Sequence, residues 1–184
     1  MIFLGVGSNL GERWAAISRA WQALEMAGVH VECSSPIYET LPWGYLEQPP
    51  YLNAVWKVST VLSPVDLLRV LKSVERQLGR SQQPMHRWGM RIIDLDLLAY
   101  GSHVVKTEEL TLPHPWIPQR AFVLGPWRDI APDFYLAVWE ATVEELGQRC
   151  CGAFWGYPVN PPKEIPLPPI VSLQPILPPA GLAS

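Results

Sequence analysis

Apolar and polar positions follow two rhythms along the chain. Ile2 to Gly7 is an apolar run of strand length, broken by Gly7-Ser8-Asn9-Leu10-Gly11. From about Glu12 to Ala27, Trp14, Ile17, Trp21 and Leu24 recur at helical spacing, and Gly28 suits the stop. Val29, Val31 and Cys33 then alternate with His30, Glu32 and Ser34, which predicts a strand. After the Pro- and aromatic-rich segment Pro36 to Pro50, alternation returns over Tyr51 to Val61. Leu52, Ala54, Trp56 and Val58 share one face; Tyr51, Asn53, Val55 and Lys57 share the other. Ser63-Pro64-Val65-Asp66 is a helix start, and Leu67, Leu71, Val74 and Leu78 form the apolar stripe up to Gly79. Ile92 to Tyr100 reads as the next strand, with Gly101-Ser102 turning into a hairpin partner His103-Val104-Val105. Short helices are expected near Gln119–Leu124 and Thr142–Arg149.

The order β-α-β-β-α-β predicts an α+β protein built as a split βαβ unit. Its antiparallel sheet would carry helices on one face and loops on the other, with an added hairpin and short C-terminal helices. A chain of 184 residues supports one domain of ordinary size. The composition breaks near Tyr157. Residues 1–157 form the folded unit in this reading. Residues 158–184 form an extended proline-rich tail, read either as a segment whose apolar residues contact the domain's own surface or another subunit, or as a tail without fixed contacts.

Composition excludes several classes. A net charge of −3 argues against a general nucleic-acid binder. Three cysteines, two of them adjacent, make neither a disulfide framework nor a zinc-finger spacing. No apolar run is long enough to span a bilayer, and the start lacks the basic flank of a signal peptide, so a cytoplasmic setting without membrane partners is expected.

The chemistry concentrates between Arg80 and Asp96. On a strand, Asp94 and Asp96 point to the same face. Ionised carboxylates among Ile92, Ile93, Leu95, Leu97 and Leu98 need a cation, and Mg²⁺ prefers such oxygens while sharing its shell with phosphates. Alone, an Asp-x-Asp pair also fits the polar face of an ordinary strand. Arg80, Arg87 and Arg91, flanking Trp88 and Gly89, add forked donors suited to phosphate oxygens. Carboxylates for metal and arginines for phosphate are the usual parts of phosphoryl transfer. Tyr51 and Asn53 share a strand face and could stack on and read the edge of a flat heterocycle, or pack as an ordinary cross-strand pair. The loop Pro113 to Phe122 presents His114, Arg120 and Phe122. The glycines at positions 5, 7 and 11 have neither dinucleotide-fingerprint nor P-loop spacing, and Asn9 is read as holding a turn.

Taken together, Gly7-Ser8-Asn9-Leu10-Gly11, Tyr38-Glu39-Thr40, Gln48-Pro49-x-Tyr51-Leu52-Asn53-Ala54, Glu75-x-x-Leu78-Gly79-Arg80, Arg87-Trp88-Gly89-x-Arg91-x-x-Asp94-Leu95-Asp96-Leu97 and Leu112-Pro113-His114-Pro115 with Arg120-x-Phe122 resemble the 6-hydroxymethyl-7,8-dihydropterin pyrophosphokinases of the folate pathway. The likeness covers about Met1 to Gly147. It implies a ferredoxin-like fold and transfer of the β,γ-diphosphate of ATP to the pterin hydroxymethyl group, with release of AMP. It also implies two Mg²⁺ ions on Asp94 and Asp96, with Arg80 and Arg91 as catalytic cations. The implied pterin pocket comprises Thr40, Leu41, Trp43, Tyr51, Asn53 and Phe122. The implied ATP contacts are Glu75, Arg80, Arg91, Leu97, Thr111, His114 and Arg120, with Arg87 and Trp88 on a loop closing over the substrates. The chain departs from the family at Met90, where many members carry proline, and in Ser81 to His86, which lacks a second arginine. Two other readings remain open on residues alone: a two-metal nucleotidyl or glycosyl transferase, and a scaffold whose proline tail docks an aromatic groove.

Overall fold

The computed structural model describes residues 1–42, 47–79, 90–150 and 156–162. In chain order the elements are β1 (Ile2–Ser8), α1 (Arg13–Met26), β2 (His30–Ser34), β3 (Tyr38–Thr40), β4 (Tyr51–Ser59), α2 (Pro64–Gln77), β5 (Asp94–Tyr100), β6 (Val105–Lys106) and β7 (Thr111–Leu112). There follow a 3₁₀ turn (Ile117–Gln119), α3 (Ala121–Ile130), β8 (Tyr135–Leu136), a second 3₁₀ turn (Ala137–Trp139), β9 (Ala141–Thr142), α4 (Val143–Arg149) and β10 (Gly156–Pro158).

β1 is buried along its whole length because it lies in the middle of the main sheet. The strands run β10-β3-β4-β1-β5, with β2 also paired to β4, and every pairing is antiparallel. One face carries Leu4, Val6, Leu52, Ala54, Trp56, Leu95 and Leu97, packed against Ile17, Ala20 and Leu24 of α1 and Leu67, Leu71 and Val74 of α2. This is the face that strand alternation selects, and the helical stripes meet it. Ser63 caps α2 by accepting the Asp66 N–H.

The expectation of helices on one face alone is corrected. Phe3, Val55 and Leu98 on the opposite face are buried by Val123, Leu124 and Trp127 of α3 and by Val143 and Leu146 of α4. α3 runs six residues past its expected end at Leu124, through Pro126, and so gains the turn that carries Trp127. Hence one end of this face is closed by helices and the other stays open over Gly5, Gly7, Asp94 and Asp96. The hairpin also differs. Gly101 turns as expected, but Val105–Lys106 pairs with Thr111–Leu112 instead of folding back on β5. Five of the described strands escape the alternation signal through their brevity: β3, inside the Pro36–Pro50 segment, the two-residue strands β7, β8 and β9, and β10, across the composition break at Tyr157. The alternation of β2 breaks at a register shift between Val31 and Cys33, which leaves Cys33 exposed.

Candidate active site

Register decides what the open face presents. Gly7 sits between Asn53 on β4 and Asp94 on β5; Gly5 sits between Val55 and Asp96. A Cβ on Gly7 would lie 3.0 Å from Asn53 Oδ1, and one on Gly5 would lie 3.3 Å from the Leu98 side chain. The central strand therefore supplies a floor with no side chains. Two strand spacings, about 10 Å, separate the backbones of β4 and β5 across this glycine strand. Above this floor opens a cleft, with Tyr51, Asn53, Leu41 and Phe122 toward one side and Arg91, Asp94, Asp96 and Arg120 toward the other.

Each carboxylate has its own guanidinium. Arg91 Nη1 donates to Asp94 Oδ1 at 2.6 Å, and Arg120 Nη1 donates to Asp96 Oδ2 at 2.8 Å. Burial works to raise the Asp96 pKa, but His114, Arg120 and Lys72 together outweigh it and hold the carboxyl below its ordinary value. Burial pushes the His114 imidazole below its ordinary value despite the nearby Asp96 charge. His114 Nδ1 accepts the Trp116 N–H at 3.3 Å, so the neutral ring carries its proton on Nε2, as a donor. Arg91 keeps its charge firmly: burial opposes it, but Asp94 raises the guanidinium pKa.

The framework around these groups is fixed by buried polar contacts. Glu75, 1% exposed, accepts the Leu95 N–H at 2.7 Å and the Lys72 ammonium at 3.1 Å, while Lys72 also donates to the Leu95 carbonyl at 3.3 Å. Both main-chain groups of Leu95 thus face α2, which sets the roll of β5 and aims Asp94 and Asp96 at the cleft. Asn9 is buried and ties three segments. Its side chain accepts the Arg91 N–H at 2.8 Å and donates to Gln48 and to the Pro49 carbonyl. The Ser8 hydroxyl adds a bond to the Ile92 carbonyl. On the other wall, Asn53 Nδ2 donates to Thr40 Oγ1 at 2.7 Å, which sets the orientation of the amide. Burial raises the Tyr51 phenol pKa, so its ring is neutral and available for stacking. Arg120 lies 5.8 Å from the Phe122 ring centroid.

The structure brings Thr40, Leu41, Tyr51, Asn53, Arg91, Asp94, Asp96, His114, Arg120 and Phe122 to one region. Trp43, Arg80, Arg87 and Trp88 lie outside the described residues. Glu75 is enclosed between α2 and β5. The Leu97 side chain is buried in the α1/α2 core, on the face opposite Asp96, and does not reach the cleft. Thr111 is half-buried in β7. Sequence reasoning gives Gly5 and Gly7 only close packing at a strand end, and places no role on Lys72. The glycines carried a signal, because two glycines on one face of a buried strand let neighbouring groups approach its backbone closely.

Chemically, two carboxylates set in a ring of cations can seat divalent metal and grip polyanionic oxygens, while the amide and rings receive a flat polar heterocycle. Among the described residues no group of three or more His, Cys, Asp or Glu side chains could hold a metal, so an ion here takes its remaining oxygens from water or substrate. Among the same residues no helix is long and apolar enough to cross a membrane.

Comparison with known proteins addresses the same region. Residues 3–132 match the family described as 7,8-dihydro-6-hydroxymethylpterin-pyrophosphokinase (HPPK). The chain is 43% identical over 144 residues to the 2-amino-4-hydroxy-6-hydroxymethyldihydropteridine pyrophosphokinase of Methylorubrum extorquens, covering 78% of this chain and 89% of that one. It is 36% identical over 145 residues to the enzyme of the same name from Aquifex aeolicus, covering 79% and 89%. A crystal structure of an HPPK-DHPS with substrates superposes with a TM-score of 0.61 at 15% identity, over 80% of this chain and 43% of that chain. The wild-type Plasmodium falciparum HPPK-DHPS superposes at 0.58 and 15%, again over 80% and 43%. This chain thus spans less than half of those structural neighbours, and the likeness to them concerns the fold.

Proposed function

This chain belongs to the 7,8-dihydro-6-hydroxymethylpterin-pyrophosphokinase family, and from that premise we propose that its glycine-floored cleft is where the pyrophosphoryl group passes from ATP to the pterin. The reaction is pyrophosphoryl transfer to the hydroxymethyl group of 6-hydroxymethyl-7,8-dihydropterin in folate biosynthesis. ATP is the donor and AMP the leaving product. The carrying observation is the juxtaposition, across Gly7, of the Asn53 amide with a carboxylate pair that two arginines flank.

In this reading Asn53, oriented by Thr40, reads the polar edge of the pterin, while Tyr51 and Phe122 flank its ring and Leu41 forms the rim. Asp94 and Asp96 hold Mg²⁺, two ions in the full form of the proposal. The donor set fits: hard oxygens, few in number, leave room for water and phosphate. The metal, when bound, neutralises the charge of the phosphate oxygens. Arg91 and Arg120 grip those oxygens, and His114 donates from Nε2. Glu75, Thr111 and the main chain of Leu97 lie on the side assigned to the nucleotide. The pterin hydroxyl oxygen forms a bond to the β-phosphorus and gives up its proton to solvent; the bond between that phosphorus and the oxygen bridging it to the α-phosphate breaks, and AMP leaves with that oxygen. Most of the work is positioning and charge stabilisation. The strand order, with β2 and β3 sharing one position beside β4, supports a ferredoxin-like reading of the topology. The edge strand β10 supports placing the end of the folded unit just beyond Tyr157.

The test is incubation with Mg²⁺, ATP and the hydroxymethyl dihydropterin, with chromatography of the nucleotides. AMP should appear in step with diphosphorylated pterin; release of ADP, or of free pyrophosphate with no modified pterin, would overturn the reading. Two substitutions probe the pterin wall. Asn53→Ala should weaken pterin binding about tenfold or more, with ATP binding little changed, as read by calorimetry. Gly7→Ala places a methyl 3.0 Å from Asn53 Oδ1 and should raise the pterin KM by a similar factor while the fold survives.

A further inference from the structure

The pterin wall rests on a weak element. β3 has three residues, and its Thr40 hydroxyl must stay 2.7 Å from the Asn53 amide for that amide to keep its orientation. Such a short strand, left as a sheet edge, would be among the first parts of the fold to open. In this chain it is not the edge. β10 pairs with it antiparallel, Gly156 opposite Thr40, Tyr157 opposite Glu39 and Pro158 opposite Tyr38. The pairing continues through the Val159 N–H to the Ile37 carbonyl at 2.9 Å, and Val159 packs on the α1/α2 core. Proline is tolerated because β10 is itself an edge.

Side chains extend this contact under the sheet. The Tyr157 hydroxyl donates to Glu39. Glu39 also accepts from Arg13 Nη2 at 2.8 Å, and Arg13 Nη1 donates to the Pro50 carbonyl at 2.8 Å. Pro50 adjoins Tyr51. One chain of contacts thus runs from the C-terminal strand, through β3, to the segment that delivers Tyr51. The Tyr157 hydrogen bond is the foremost influence holding the Glu39 carboxyl below its ordinary pKa, so this contact is made to the charged form.

We propose that residues 156–159 are a positioning strap for the pterin half of the cleft, with Tyr157 and Glu39 as positioning residues acting through Thr40 and Pro50. The inference rests on the assignment of Thr40, Tyr51 and Asn53 to the pterin. The strap touches neither substrate. It holds β3 and the approach to Tyr51, so its loss loosens pterin binding and leaves the carboxylate and arginine side unaltered.

The experiment compares the full chain with Tyr157→Phe, Glu39→Gln, a chain ending at Pro162 and a chain ending at Trp155. KM for each substrate and kcat are measured, together with hydrogen exchange of residues 38–40 in the absence of substrates. Ending at Pro162 should change nothing. Tyr157→Phe and Glu39→Gln should each raise the pterin KM about threefold, and ending at Trp155 about tenfold, with kcat and the ATP KM within about twofold and with faster exchange at residues 38–40. An unchanged pterin KM and unchanged exchange in the two point variants would overturn the strap, as would kcat and both KM values shifting together. If the chain ending at Trp155 does not fold, the point variants decide. If the full chain releases no AMP, the functional reading fails, and exchange at residues 38–40 still decides whether the strap holds β3.

Discussion

Asp96→Ala is expected to lower kcat by about a thousandfold while the protein stays folded. Three physical terms meet at this carboxylate. It is held ionised by His114, Arg120 and Lys72 against the cost of burial. It shares the open face of β5 with Asp94, so its loss removes one of the two proposed metal oxygens. It also pairs with Arg120 at 2.8 Å, so its loss removes one contact that orients that guanidinium. The fold should survive because Asp96 faces the cleft and Leu95 and Leu97 supply the packing of that strand. Asp94→Ala should behave alike through Arg91. Initial rates at saturating ATP and pterin, over a range of Mg²⁺ concentrations, check both. If higher Mg²⁺ leaves the Asp96→Ala rate near normal, the metal assignment is wrong.

Arg120→Ala should cost about a hundredfold in kcat/KM for ATP and much less in pterin affinity. The side chain is enclosed, its ion pair with Asp96 is 2.8 Å long, and its guanidinium lies 5.8 Å from the Phe122 ring centroid. It therefore connects the carboxylate side of the cleft to the aromatic side. Lysine would restore a charge but not a fork that faces Asp96 and phosphate together, so Arg120→Lys should recover only a small part of the loss. Binding of a non-hydrolysable ATP analogue, measured by calorimetry for the three proteins, separates grip on the nucleotide from catalysis. Equal affinity and equal turnover in all three would remove Arg120 from the site.

Much of this was legible in the residues. The common facing of Asp94 and Asp96 follows from strand periodicity, and so does the shared face of Tyr51 and Asn53. Ser63-Pro64-Val65-Asp66 announced the start of α2. The short elements were not legible. β3, β7 and β10 have too few residues to carry a period, and β10 straddles a composition break that otherwise looks like the start of a tail. The 3.6-residue stripe of α3 was obscured by Pro126 and by a start one turn from a proline-laced loop. Leu97 illustrates the opposite limit: a position inside the chemical block, whose side chain nonetheless belongs to the core.

By itself the sequence determined which residues alternate onto which face of β4 and β5, where the two long helices begin and end, and which charges the protein has to work with. Those are properties of a few consecutive bonds. The tertiary structure decided that Gly7 falls between Asn53 and Asp94, that Arg120 meets an aspartate 24 positions away, and that the second sheet face is half roofed by α3 and α4. The reason is register. Antiparallel pairing can slide in steps that leave each strand's own pattern intact, and only the packing of the whole sheet against its helices selects one alignment.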